Sequence, residues 1–89
     1  MIVITKQMLK AYPYSAQRLR TGRGNSTDEI TVTEVEAFIA GIADALTHDI
    51  FAYRYIDGLS WVRISVETNN SADNCRMIAA RYLNTHGIR

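Results

Sequence analysis

A chain of 89 residues has room for one small domain, which buries only about 60–65% of the surface that its unfolded form exposes. We therefore expect residues 1–89 to form a single domain around one core. The composition, with 47% hydrophobic and 21% charged residues, argues against disorder and against a low-complexity tail. The single cysteine, Cys75, excludes an intramolecular disulfide.

The net charge of +1 is unevenly distributed along the chain. Residues 1–27 contain Lys and Arg but no acid, residues 28–49 contain Asp and Glu but no Lys or Arg, and the last sixteen residues contain arginines and no acid. Such blocks create opposed surface fields if the segments stay apart in space. They cancel locally if the basic N-terminal segment packs against the acidic one.

The N-terminal third predicts a short strand followed by two short helices. Ile2–Ile4 is a β-branched run, and Thr5 caps a helix that we expect to end at Pro13, because the residue before a proline avoids helical geometry. A second helix opens at Ser15 and stops at Gly22. The first apolar run is too short for a signal peptide or a membrane span, which predicts a cytoplasmic protein without membrane contact.

The middle of the chain contains the clearest helical pattern. Residues 21–27 have loop composition, and residues 30–32 suit a few residues of strand. From Thr33 to Thr47 the apolar side chains recur at helical spacing, and Thr33 with Glu36 matches a capping box. We therefore predict one helix over 33–47.

The C-terminal half predicts a β-hairpin followed by a helix. Residues 50–56 and 59–67 flank Asp57-Gly58, a strong hairpin signal because both turn residues tolerate positive φ. Ser71 then caps a last helix, which Gly87 closes. The predicted order is β-α-α-(β)-α-β-β-α, a small single-core α+β domain with about three strands, antiparallel pairing and helices on one sheet face.

The sequence contains no recognisable catalytic or metal-binding pattern. Cys75 and His86 lie about 16 Å apart along the predicted helix. His48 precedes Asp49, but sequence neighbours on a helix do not face one another. The two histidines and one cysteine match no zinc or iron spacing. We therefore predict a non-enzymatic protein with no metal or cofactor; an enzyme would need a pocket that brings His48, Cys75 or His86 beside a carboxylate.

The favoured hypothesis is a small accessory factor, of the kind common in phages and mobile elements, that docks on a protein partner. In the predicted hairpin one sheet face combines arginine with aromatic and apolar residues, which are enriched at binding hot spots. The candidate partner-binding residues are Arg54, Ile56, Leu59, Trp61 and Arg63. A self-complementary version of this face predicts a homodimer. If the N-terminal helices cover the face, Trp61 belongs to the core instead.

The alternative hypothesis is a nucleic-acid-binding regulator that uses the basic N-terminal segment. Cations beside Tyr12 and Tyr14 suit contacts with phosphates and stacking on bases. The candidate residues are Lys6, Lys10, Arg18, Arg20 and Arg23. The two predicted helices around Pro13 weakly resemble a helix-turn-helix, although the second is short for a recognition helix.

Overall fold

The computed structural model describes residues 3–89, and every regular element in that range is helical. The predicted α+β fold with antiparallel strands is therefore wrong. In chain order the elements are α1 (Lys6–Arg20), α2 (Ser26–Ala40), α3 (Ala45–Phe51), a π-helix (Ala52–Ile56), α4 (Trp61–Thr68) and α5 (Ala72–Thr85). The predicted strand Ile2–Ile4 falls partly outside the described residues, and Val3 and Ile4 are not in a strand.

Helix α1 begins where the sequence predicted but does not end at Pro13. The Thr5 hydroxyl accepts a hydrogen bond from the Met8 amide at 3.1 Å. Pro13 lies in the middle of the helix with an exposed side chain. Leu9 and Ser15, on either side of it, are buried, so tertiary packing outweighs the cost of the proline. The two short helices predicted around Pro13 are one helix.

The predicted helix 33–47 is divided between α2 and α3. Helix α2 begins earlier than predicted, because its capping box is formed by Asn25 and Asp28. The capping box predicted for Thr33 and Glu36 does not start a helix, since both residues lie inside α2. It ends at Ala40, and Asp44 starts α3 by accepting a hydrogen bond from the Thr47 amide. The strand predicted at residues 30–32 lies inside α2.

The predicted hairpin is replaced by a helix end and a helix start. Gly58 has a φ of 72°, but Asp57 has a φ of −86°, whereas a type I′ hairpin turn needs positive φ at both residues. Instead, the Leu59 amide donates to the Tyr53 carbonyl at 2.9 Å, which closes the π-helix in the manner of a Schellman motif. Ser60 then caps α4 through the Arg63 amide. Positive φ at a glycine serves both kinds of turn, and the hydrophobic pattern did not distinguish them.

The core receives buried side chains from each of the five α-helices. Helix α1 packs against α2, and α3 packs against α4 and α5. The buried apolar side chains are Leu9, Tyr12, Val35, Ile39, Ile42, Ile50, Phe51, Ile64, Cys75, Ala79, Leu83 and Ile88. Phe51 is completely buried, and its ring centroid lies 5.4 Å from that of Tyr82 and 5.5 Å from that of Tyr55. Full burial of a side chain of this size contributes about 1.5–3 kcal/mol.

Candidate nucleic-acid interface

Helices α4 and α5 are joined by a tight turn of three residues, Asn69, Asn70 and Ser71. Asn69 adopts the left-handed conformation, with φ 55° and ψ 40°, which reverses the chain in one residue. The Asn70 amide donates to the Ser65 carbonyl at 3.2 Å and so completes the end of α4. The Ser71 hydroxyl accepts from the Asn74 amide at 3.0 Å and starts α5, as the sequence predicted.

Side chains hold this turn in place from both helices. The Asn74 side-chain amide donates to the Asn70 side-chain oxygen at 3.1 Å, and the Asn70 amide group donates to the Thr68 carbonyl at 2.8 Å. The Thr68 hydroxyl lies 3.4 Å from the Cys75 sulfur. Ile64 and Cys75 are completely buried, one on each helix. Helices α4 and α5 are joined by three residues, share a core and both contact α3, so they form one supersecondary unit of two helices and a tight turn.

The second helix of this unit presents one long side to solvent. Asp73, Met77, Ala80 and Asn84 are exposed and lie on one face at spacings of four, three and four residues. Arg76 lies along one edge of this face, where its guanidinium pairs with Asp73. We call these five residues, Asp73, Arg76, Met77, Ala80 and Asn84, the α5 face. It combines an acid, a base, an amide and an apolar side chain within three turns, and side chains of these types are among those that contact base edges in DNA complexes.

A cleft of about 220 Å³ adjoins the α5 face and has three cations in its lining. Lys6 and Lys10 come from α1, and Arg76 comes from α5. Its apolar lining residues are Tyr55, Trp61, Ala79, Ala80 and Leu83. We call it the basic cleft. Burial raises the pKa of Tyr55 above its ordinary value, opposed by the nearby charge of Arg54.

Arg54 and Trp61, two of the predicted partner-binding residues, form a cation–π pair, although through a helix end rather than a hairpin. The Arg54 guanidinium carbon lies 4.7 Å from the Trp61 ring centroid. The same guanidinium donates to the Leu59 carbonyl at 3.1 Å. Trp61 is half-buried against the core, so it is neither bare nor enclosed. The pair braces the connection into α4.

The other two predicted partner-binding residues lie elsewhere. The Arg63 guanidinium pairs with Glu67 at 3.0 Å on the solvent side of α4. Arg63 follows Trp61 by two positions and therefore points to a different side of the helix. Ile56 lines a different cavity, of about 340 Å³, between the π-helix and α1. Arg54, Leu59 and Trp61 therefore form one group, and Ile56 and Arg63 contribute to other surfaces.

The five cations of the predicted N-terminal nucleic-acid site are also separated. Lys6 and Lys10 line the basic cleft. Arg20 lines the cavity that contains Ile56, and Arg23 is exposed in the connection from α1 to α2. Arg18 pairs with Asp28 at 2.6 Å, so part of the basic segment is neutralised by the acidic one.

Asp28 is a buried carboxylate that accepts hydrogen bonds from three residues. Only 2% of the residue is exposed, and its oxygens accept from Arg18, from the Ser15 hydroxyl at 2.9 Å and from the Asn25 amide at 3.2 Å. The hydrogen bonds from Arg18 hold the pKa of Asp28 well below its usual range, with Ser15 and Asn25 adding to the effect. The same contact raises the pKa of Arg18. The pair fastens α1 to the start of α2.

The residues considered for catalysis are spread over the molecule. Contrary to the expectation that these sequence neighbours do not face one another, the His48 ring nitrogen lies 3.1 Å from the Asp49 carboxylate, at a position open to solvent. Cys75 is buried against Thr68, and the His86 ring stacks on Tyr82 with centroids 4.1 Å apart. Residues 3–89 hold no group of three or more His, Cys, Asp or Glu side chains that would bind a metal ion.

Helices in the described part of the chain are all too short or too polar to cross a lipid bilayer. Comparison of the chain with protein-family models, curated proteins and solved structures finds no match.

Sequence reasoning missed the α4–α5 unit because the hairpin prediction occupied residues 59–67. Two signals pointed to it. Ser60 is an N-cap residue three positions before Arg63, and Asn69-Asn70-Ser71 combines a residue that tolerates the left-handed conformation with a second cap. Together they mark a helix of eight residues, a tight turn and a helix of fourteen.

Proposed function

We propose that this protein is a non-enzymatic regulator that binds duplex DNA in the cytoplasm, with α4 and α5 acting as a helix-turn-helix and α5 lying in the major groove. The observation that carries the proposal is the α4–turn–α5 unit, whose second helix has a long exposed face. In proteins of this class the N-terminal residues of the second helix contact base edges, while the first helix crosses the phosphate backbone. The α5 face begins in the first turn of its helix, as such contacts require.

The chemistry of the α5 face supports direct reading of bases. A carboxylate such as that of Asp73 accepts from the cytosine amino group, and an apolar side chain such as that of Met77 contacts a thymine methyl. Asp73 is 95% exposed in its side chain and Met77 is 51% exposed, so both reach outward. Asn74 is tied to Asn70 in the turn and serves mainly to orient the helix.

Selection from a pool of randomised duplexes tests the proposal directly. We expect a preferred sequence bound with a dissociation constant of about 10⁻⁸ M or lower at physiological salt, against about 10⁻⁴–10⁻⁶ M for unrelated duplexes. Asp73→Ala should change the preferred base at one position, with a change in discrimination of about 1–3 kcal/mol. Asp49→Ala removes an exposed acid from α3 instead and should leave the preference unchanged. A folded wild-type protein that binds no duplex at about 50 mM salt would refute the proposal.

Docking on a protein partner is the second candidate, and one observation favours it. Val62 and Val66 lie one turn apart on the outside of α4 and are 67% and 70% exposed. Together with the Arg54–Trp61 pair, these valines give α4 an exposed apolar surface that suits docking on a protein. That protein is either a different chain or a second copy of this one. Light scattering reports self-association, and Val62→Ser with Val66→Ser should abolish it. A dimer that survives these changes, with DNA binding absent, would point to another surface.

A further inference from the structure

The basic cleft joins cations from distant parts of the chain. Lys6 and Lys10 are one turn apart on α1 and therefore lie on the same side of that helix. Arg76, sixty-six residues beyond Lys10, lines the same cleft from α5. Asp73 pairs with Arg76 from just outside the lining and offsets part of its charge. The positive charge of the cleft rim therefore comes mainly from Lys6 and Lys10.

The lining of the cleft is apolar below that rim. Ala79 and Ala80 leave room beside the Trp61 indole, and Leu83 and Tyr55 complete the surface. A sugar–phosphate backbone has matching chemistry, because its phosphate oxygens attract cations and its deoxyribose presents C–H groups. Contacts of cations with phosphates supply most of the sequence-independent affinity of DNA-binding proteins.

The state of the indole distinguishes a backbone site from a site for an unpaired base. Single-strand binders stack bases on open aromatic faces. One face of Trp61 is already covered by Arg54 at 4.7 Å, and the residue is half-buried. Arg54 therefore leaves at most one face of the ring for a base, whereas a sugar needs only a partial apolar contact with the indole.

The cleft is also continuous with the α5 face. Arg76 and Ala80 belong to both, and Trp61 is the first residue of α4. A strand of duplex DNA that flanks α5 in the major groove would thus pass the start of α4, where the first helix of a helix-turn-helix meets the backbone.

From this geometry we propose that the basic cleft binds the phosphate backbone of one strand of duplex DNA, with phosphates held by Lys6, Lys10 and Arg76 and a deoxyribose against Trp61. This inference rests on the proposed function, since it assigns the backbone contacts of the same DNA complex. It makes α1, which is outside the helix-turn-helix unit, part of the interface.

The test compares two double variants that lose the same charge. Lys6→Gln with Lys10→Gln removes two cations of the cleft. Arg20→Gln with Arg23→Gln removes two at the other end of α1 and beyond it, about 15 Å or more along the helix from Lys10. All four side chains are exposed, so both variants should keep the wild-type helical circular dichroism.

Binding is measured against salt on the duplex selected by the wild type. Each phosphate contact contributes about 0.9 to the slope of log K against log salt, so the cleft variant should lose about 1.8. When salt is raised from about 50 to 200 mM, the factor by which the wild type loses affinity should be about twelve times the factor for the cleft variant. Its preferred sequence should not change. The control variant should keep the wild-type slope.

Trp61 gives a second readout, because it is the chain's one tryptophan. We expect the duplex to protect its fluorescence from acrylamide quenching in the wild type and the control variant, and less so in the cleft variant at equal saturation. Equal slopes for the two double variants, with the wild type still binding, overturn the cleft assignment and leave the proposed function standing. Stronger competition by single-stranded than by duplex oligonucleotide also overturns it. Absence of any binding by the wild type removes the proposed function as well.

Discussion

Replacement of Pro13 by alanine tests the continuity of α1. Pro13 is the eighth residue of a helix of fifteen, where it lacks the amide that would bond to the Leu9 carbonyl. Alanine is about 3 kcal/mol more favourable than proline in a helix interior. The unfolded chain regains the freedom that proline removes, which takes back about 0.4–1 kcal/mol. Because the proline side chain is exposed, little packing is lost. Pro13→Ala should therefore stabilise the protein by about 2 kcal/mol.

Thermal and urea unfolding followed by circular dichroism measure this gain. A domain of this size shifts its Tm by about 4–8 °C per kcal/mol, which predicts an increase of about 8–16 °C. The urea midpoint should rise with an unchanged m-value. Tyr14→Ala is the matched control, since Tyr14 is the next helical residue and is 66% exposed; it should change stability by less than about 1 kcal/mol. A neutral or destabilising Pro13→Ala would mean that the chain breaks at Pro13, and the reasoning would fail.

Three further predictions concern groups with defined local causes. Arg18 depresses the pKa of Asp28 in the folded state, so the stability from this contact is present above the ordinary carboxyl pKa of about 4 and is lost as the pH falls below it. Asp28→Asn should lower the Tm at neutral pH and make the stability depend less on pH in the acid range. An unchanged acid range would argue against the buried pair. Burial, with the hydrogen bond to Glu36, raises the pKa of Tyr12 to about 12. A spectrophotometric titration should therefore show one tyrosine that ionises at higher pH than the others, and the corresponding stability should be present below pH 10 and lost as the pH rises toward 12. Glu36→Gln should move that ionisation to lower pH. Gly58→Ala places a Cβ at a φ of 72° and should lower the free energy of unfolding in urea by about 1 kcal/mol. A loss below a few tenths of a kcal/mol would show that the π-helix does not end with Gly58 in the left-handed conformation.

Local signals in the sequence predicted helix ends well. Thr5 and Ser71 cap helices, and Gly22 and Gly87 follow helix ends with positive φ, as expected. These features depend on a few neighbouring residues, so no knowledge of the fold is needed. Pro13 shows the limit, since its local preference for a helix end is outweighed by burial of the residues around it.

The hairpin was wrong for a reason that lies in the packing. Residues 50–67 are rich in β-branched and aromatic side chains, which fit an alternating pattern and a helical one about equally. In the alternating pattern Val62 and Val66 belong to the core, yet both are exposed, and Ile64 between them is completely buried. The packing of α4 against α3 and α5, which no local pattern reports, decides between the two patterns.

The candidate site was predicted in parts but not as a whole. Lys6 and Lys10 were proposed for nucleic acid and Trp61 for a protein partner, as separate hypotheses. Their meeting in one cleft depends on how α1 packs beside α4 and α5, which no pattern within the chain reports. Arg18, in contrast, was grouped with the other cations by its charge, and its pairing with buried Asp28 required the structure.

The way in which consecutive helices pack has a kinetic consequence. Helix α1 contacts α2 across a five-residue connection, and α4 contacts α5 across three residues. Closing such short loops costs little chain entropy, and domains dominated by contacts between sequence neighbours refold in microseconds to milliseconds. The bond from the Lys6 amide to the Arg89 carbonyl joins opposite ends of the described chain and closes its longest loop. We therefore expect the α1–α2 pair and the α4–α5 pair to form early and independently, and the bond from Lys6 to Arg89 to form late. The Lys6 amide should then exchange with solvent faster than the hydrogen-bonded amides in the helix interiors.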